Sequence, residues 1–198
     1  MNATAQTKRA RTTPAAEQVL AAALNLFTEQ GYFNTSIPDI VKASSVSTGS
    51  IYHYFRDKEG IARSLYDSLV ERMEAQLRKV EAAHATAHER CRAVIELLFE
   101  LTEQEPAVMR FMLFSRHREF IPDQKPVCSS RPFVQMRQMV ASGMQSGEIR
   151  EVTPIVAASA MFGGALRLIQ LRLDGILDAP LPEYLDEIWQ CSWRSVAV

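Results

Sequence analysis

Ser47-Thr48-Gly49-Ser50-Ile51-Tyr52-His53-Tyr54-Phe55 is the stretch that decides how this chain is read. Ile51 and Phe55 stand four apart and give a short helix two apolar anchors on one face. The other positions carry hydroxyls, a glycine, two tyrosines and a histidine. A helix with so few anchors and so many small donors and acceptors suits a groove better than a core. The major groove of duplex DNA admits one α-helix.

The residues before this stretch supply its frame. Thr13-Pro14 opens a helix, because proline at the first helical position loses no hydrogen bond. Val19, Leu20, Ala23, Leu24 and Phe27 follow at helical spacing, and Gly31 ends the run. Ser36 is placed to cap a second helix, with Pro38 and Asp39 in its first turn and Ile37, Ile40 and Val41 on its buried side. Ser44-Ser45 reads as a turn, and Ser47 caps the third helix. Residues 36–55 therefore have the plan of a helix-turn-helix, whose second helix lies in the major groove. Residues 1–12, with Lys8, Arg9 and Arg11, read as a disordered basic arm.

Charge supports a local reading only. The whole chain has net charge -1 and a pI near 6.4. Over residues 1–58, Lys8, Arg9, Arg11, Lys42, Arg56 and Lys58 outnumber Glu17, Glu29, Asp39 and Asp57. A slightly basic module on an acidic body fits DNA contact through a small surface. Cys91, Cys128 and Cys191 are odd in number and lack any C-x-x-C pair, which argues for a reducing compartment and against a disulfide framework or zinc site. No apolar run approaches the roughly 20 residues of a spanning helix, so a soluble, cytoplasmic chain is expected.

The rest of the sequence is also helical in pattern. Asp57 can cap a long helix from Lys58 to about Ala85, with Ile61, Leu65, Leu69, Met73 and Leu77 every four residues. Further helices are predicted over Cys91–Leu101, Val108–Phe120, Phe133–Met144, Thr153 to Asp174, and from beyond Pro182 to Ser195. The expected architecture is all-α. A disordered arm spans 1–12, a helix-turn-helix module 13–58, and a larger helical domain 59–198.

The chemistry of the short helix extends this plan. Ser47, Thr48 and Ser50 can bond phosphates or base edges, and the Thr48 methyl suits a thymine. Gly49 permits close approach, and Tyr52, His53 and Tyr54 can reach phosphates or bases. Lys58 and Ser36 stand at helix starts suited to a phosphate.

Gly31-Tyr32, Thr35-Ser36-Ile37, Asp39-Ile40-Val41, Ala43, Val46-Ser47, Gly49 to Phe55 and Lys58-Glu59 together resemble the N-terminal signature of TetR-type (tetracycline-repressor-like) transcriptional regulators. The resemblance covers about residues 14–70. It implies a homodimer that binds a palindromic operator in double-stranded DNA, usually as a repressor, and a ligand cavity in the C-terminal helices. Carried over by position, the DNA-contacting set is Ser36, Ser47, Thr48, Gly49, Ser50, Tyr52, His53, Tyr54 and Lys58. One departure stands out: many members carry Lys or Arg where this chain has Thr48.

Candidates in the C-terminal part follow from composition. Met109, Met112, Phe114, Met136, Met139 and Phe162 can line an adaptable apolar pocket, with Arg167 as a polar anchor. Gly163 and Gly164 permit close helix approach. With Leu166, Ile169, Leu173, Leu185, Ile188 and Trp189 they suit a symmetric four-helix dimer interface. His84 and His88 lack the glutamate of a metalloprotease helix, so no metal or other cofactor is expected. Cys91 and Cys191 fit buried helical positions, and Cys128 a loop, where its thiol is a redox candidate. With no Ser-His-acid order and no phosphate-cradling glycine loop, an enzyme is not expected. The reading is thus a repressor released from DNA by a small apolar effector. The alternative is an architectural or division-control DNA-binding protein without an inducer.

Overall fold

The computed structural model describes residues 13–121, 123 and 126–198. The arm expected over 1–12 lies outside them. Among the described residues the regular structure is nine α-helices, short 3-10 turns and one isolated antiparallel bridge between Ile149 and Ala197. The chain is all-α and divides into two compact units, the first ending at Leu65.

The first unit holds α1 (Pro14–Glu29), α2 (Ile37–Ser44), α3 (Thr48–Phe55) and the start of α4 (Lys58–Ala83). Each helix begins where its sequence supplies an acceptor. The Thr13 hydroxyl accepts from Ala16 N at 3.3 Å. Ser36 and Asp39 form a reciprocal capping box, Asp39 N donating to Ser36 Oγ and Ser36 N to Asp39 Oδ2. Asp57 Oδ1 accepts from Gly60 N at 2.7 Å in the first turn of α4. Helices α1, α2 and α3 pack on one another, with Val19, Ala23, Phe27, Ile40, Val46, Ile51 and Phe55 buried. Burying Ile51 and Phe55 contributes about 1.5–3 kcal/mol each, which suffices to hold a two-turn helix on its frame. Two details differ from the sequence reading. Ile37 and Val41 are only half-buried, and Ser44 is the last residue of α2, with Ser45 left-handed behind it.

The second unit holds the remainder of α4, then α5 (Ala87–Gln104), α6 (Pro106–Phe114), α7 (Arg131–Gln145), α8 (Pro154–Leu173) and α9 (Leu185–Arg194). Helix α5 packs against α6, α7, α8 and α9. Its buried face (Cys91, Val94, Ile95, Leu98, Phe99) forms the centre of the core. Burial pushes the Cys91 thiol up to about 12, so it stays protonated and acts as a small apolar group.

Helix α6 is shorter than its periodicity predicts. It stops at Phe114, and the chain turns back through a 3-10 turn at His117–Glu119. The reversal places the His117 ring against Phe111 and Phe120 of the same segment and Tyr66 of α4, at 4.9, 5.7 and 4.8 Å between ring centres. Cys191, expected inside, is exposed on α9. Helix α8, against expectation, is long and apolar enough by composition to cross a membrane. Here it packs on α5, α7 and α9 as a core helix, with Met161, Phe162, Ala165 and Ile169 buried.

Candidate nucleic-acid interface and ligand cleft

The outer face of α3 carries the first candidate site. Only Ile51 and Phe55 of this helix are buried. Thr48, Gly49, His53, Tyr52 (50% exposed) and Tyr54 (40%) face solvent. A Cβ built on Gly49 would meet nothing within 4 Å, so packing does not require the glycine there. Its effect is to keep the outer face low, which is what close approach by another molecule needs. The His53 and Tyr54 rings lie edge to face, 5.3 Å apart.

The hydroxyls at the helix start are partly engaged. Ser47 Oγ accepts from Ser50 N at 3.2 Å and lies 2.9 Å from Ser50 Oγ. Ser36 Oγ donates to Asp39 Oδ2 at 2.6 Å, and this bond leads the contacts that hold the Asp39 carboxyl below the usual carboxylate range. Ser36 and Ser47 remain exposed.

Lys58 occupies a place its sequence position does not reveal. Its ammonium donates to the carbonyls of Tyr32 and Thr35 at 2.9 and 2.8 Å and sits over the Tyr32 ring. Two of its three donors therefore stitch α4 to the loop between α1 and α2. Desolvation holds its pKa below that of a free lysine. The third donor is the most it can offer a phosphate.

The second candidate site is a cleft of about 240 Å³ between α7 and α8. Phe133, Met136, Ile155, Phe162 and Leu166 form its apolar walls, with Cys128 and Arg137 on its lining. A void of only about 20 Å³ shares Phe133, Met136 and Leu166 and is completed by Met73, Met109, Met112 and Ser130. Met136 and Phe162 thus line the cleft as expected from sequence, and Met109 and Met112 line the inner void. Three expected residues do not. Met139 is buried in the core, Phe114 is exposed beyond the turn that ends α6, and Arg167 points to Gln170 Oε1 at 2.7 Å on the outer side of α8. The charged residue on the cleft lining is Arg137, absent from the set expected from sequence, and its Nη1 donates to the Cys128 carbonyl at 2.6 Å. Its signal was available: Phe133, Met136 and Arg137 share the i, i+3, i+4 face of α7.

The expected dimer set also divides. Ile169, Leu173, Leu185 and Trp189 are buried within the protomer and belong to its core. They follow the inward stripe of α8 and α9, so they are not free to meet a second copy. Gly164 serves the same internal packing, since a Cβ there would lie 2.8 Å from Ile188 Cδ1. Leu166 and Gly163 both line the cleft, and Gly163 is also exposed. His88, one of the two spaced histidines, sits edge-on to Trp189 and Trp193, 4.8 and 4.7 Å between ring centres.

Comparison with known proteins agrees with this geometry. The family described as bacterial regulatory proteins, tetR family, matches residues 19–65, which contain most of α1, all of α2 and α3 and the start of α4. The HTH-type transcriptional regulator HbdR of Aromatoleum sp. (strain CIB) is 37% identical over 78 residues, which are 39% of this chain. The match spans only 34% of HbdR itself. The fatty acid metabolism regulator protein of Bacillus subtilis (strain 168) is 28% identical over 163 residues, 75% of this chain and 78% of that protein. The crystal structure of FadR from Bacillus subtilis in complex with stearoyl-CoA superposes with a TM-score of 0.72 at 24% identity, covering 89% of this chain and 96% of that one. An exposed helix-turn-helix and these matches agree: the N-terminal module, residues 19–65, is that of the tetR family of bacterial regulatory proteins.

Proposed function

We propose that the chain is a dimeric, effector-responsive transcriptional repressor that meets a palindromic operator with α3 of each copy. One observation carries the DNA part. Helix α3 buries two residues and leaves Thr48, Gly49, Tyr52, His53 and Tyr54 exposed around a low, glycine-bearing face. Ser47 caps this helix, Ser50 stands in its first turn, Ser36 caps α2, and Lys58 keeps one donor in reserve. Enrichment of duplexes from a random pool tests the reading. A repressor of this kind retains a two-fold symmetric sequence with half-sites about one helical turn apart.

The dimer face we favour is the outer stripe of α8, Val156, Ala160 and Gly163, with the exposed side of α9 around Glu187 and Cys191. These residues share one helical face and leave the protomer core intact. Sedimentation of Gly163→Arg against the parent chain tests it, since a large cation in the centre of the stripe would yield monomers.

The cleft between α7 and α8 supports effector control over the architectural reading. Its walls are apolar and its one charged lining residue is the cation Arg137, which suits an anionic molecule with an apolar chain. The likeness to a fatty acid metabolism regulator, and to a FadR structure that holds stearoyl-CoA, makes acyl-CoA thioesters the first effectors to titrate. Release of operator on titration requires that the ligand prefer the form with low DNA affinity. If no acyl-CoA or fatty acid shifts operator affinity, the architectural reading takes its place.

A further inference from the structure

Four cations stand among the described residues of the first unit, Lys42, Arg56, Lys58 and Arg63, and two of them are held by bonded partners. Lys58 is tied to two carbonyls. Arg63 pairs with Glu59 at 2.8 Å. Lys42 adds to the charges that depress the Asp39 carboxyl. Among the described residues the Arg56 guanidinium makes no hydrogen bond or ion pair, and the residue is exposed. Thr48 adds no charge at the start of α3.

The backbone of Arg56 is unusual. It adopts φ 66° and ψ -45° at the exit of α3, while Asp57 N donates to the Phe55 carbonyl at 2.8 Å. This is a γ-turn with positive φ at its centre, a rare and strained conformation for a side-chain-bearing residue. Glycine would adopt it without steric cost. The neighbouring sequence is fitted to the same turn. A Cβ on Gly60 would lie 1.9 Å from the Phe55 carbonyl oxygen, so α4 can start this close to the turn only with glycine there.

We propose that Arg56 is a DNA phosphate contact, held by the strained turn at the exit of the groove helix. The proposal rests on the reading of α3 as the DNA-binding helix. Arg56 stands one helical turn after Tyr52, whose carbonyl accepts its backbone N–H at 3.0 Å. A planar guanidinium suits bidentate binding of a phosphate, and its charge supplies attraction that Thr48 does not. A strained position occupied by arginine, with the relieving glycine spent four residues later, fits a side chain needed there for contact.

The test compares the full-length parent with Arg56→Gly and Arg56→Lys. Each is titrated over a range of salt against a mixed-sequence duplex and against the duplex the parent enriches from a random pool. Each phosphate contact contributes about 0.9 to the slope of log affinity on log salt. Arg56→Gly is expected to lower that slope by about 0.9 per protomer and to weaken binding roughly three- to tenfold on both duplexes. Its melting temperature stays equal or rises, and Arg56→Lys keeps the parental slope. A parental slope in Arg56→Gly overturns the proposal, and with a lower melting temperature it makes Arg56 structural. If the parent binds neither duplex, the reading of α3 fails and takes this proposal with it.

Discussion

The Lys58 ammonium stands 4.2 Å from the centre of the Tyr32 ring and donates to the Tyr32 carbonyl. A cation facing a ring and two carbonyls locks the start of α4 onto the loop after α1. The same environment removes water from the ammonium, so its pKa falls. Lys58→Met is expected to lower the stability of the first unit by about 1–2 kcal/mol, the scale of two charge-assisted bonds partly open to solvent. Thermal or urea unfolding followed by the fluorescence of the first-unit tyrosines checks it. An unchanged midpoint would show that the lysine is not structural.

Gly60 gives a second test of the module. Alanine is the better helix former by about 1 kcal/mol, and on propensity alone Gly60→Ala should stabilise α4. The Phe55 carbonyl lies where the new methyl would go. Backbone must shift, and the expected result is a net loss of about 2–3 kcal/mol in the first unit. Gly49→Ala is the control in the same unit, because a Cβ there meets nothing within 4 Å.

His117 makes stability depend on pH. Burial among Tyr66, Phe111 and Phe120 lowers its pKa from 6.5 to about 4, partly offset by its bond to the Phe111 backbone. The folded chain therefore resists a proton that the unfolded chain accepts from about pH 6.5 downward. Stability is complete above that pH and falls until the folded pKa is reached. The loss is on the order of 3 kcal/mol for a drop from pKa 6.5 to about 4. Urea unfolding at several pH values between 7 and 4 reads the slope. His117→Phe should flatten this component of it, and a slope equal to the parent's would sink the assignment.

Arg137 tests the cleft. If it receives the anionic part of an effector, Arg137→Ala should raise the concentration of acyl-CoA needed for operator release by about tenfold or more, the scale of a charge-assisted bond. Operator affinity without ligand should be unchanged. Equal sensitivity in the variant would place effector binding elsewhere.

What the sequence disclosed depended on how local each signal was. The caps at Thr13, Ser36, Ser47 and Asp57 act within one turn, so the module from α1 to α4 was legible almost residue by residue. The outward face of α3 was legible for the same reason, since two anchors at Ile51 and Phe55 define its inner side. Long-range packing was not. Ile169, Leu173, Leu185 and Trp189 have the spacing of an interface, but the same spacing serves a protomer core, and only the fold shows α5 covering them. Helix α6 has apolar periodicity through Phe120, yet Ser115 turns extended so that His117 and Phe120 can return onto Phe111. Arg56 looked like one more surface charge until its backbone angle was known.

The claim that α3 meets DNA has a direct measurement. The affinity of the parent for the duplex it selects is compared with Tyr52→Phe and His53→Ala, neither of which removes a buried anchor. The account predicts that at least one weakens binding by about two- to tenfold, the scale of a lost hydrogen bond, with the melting temperature unchanged. Parental affinity in both variants would contradict it.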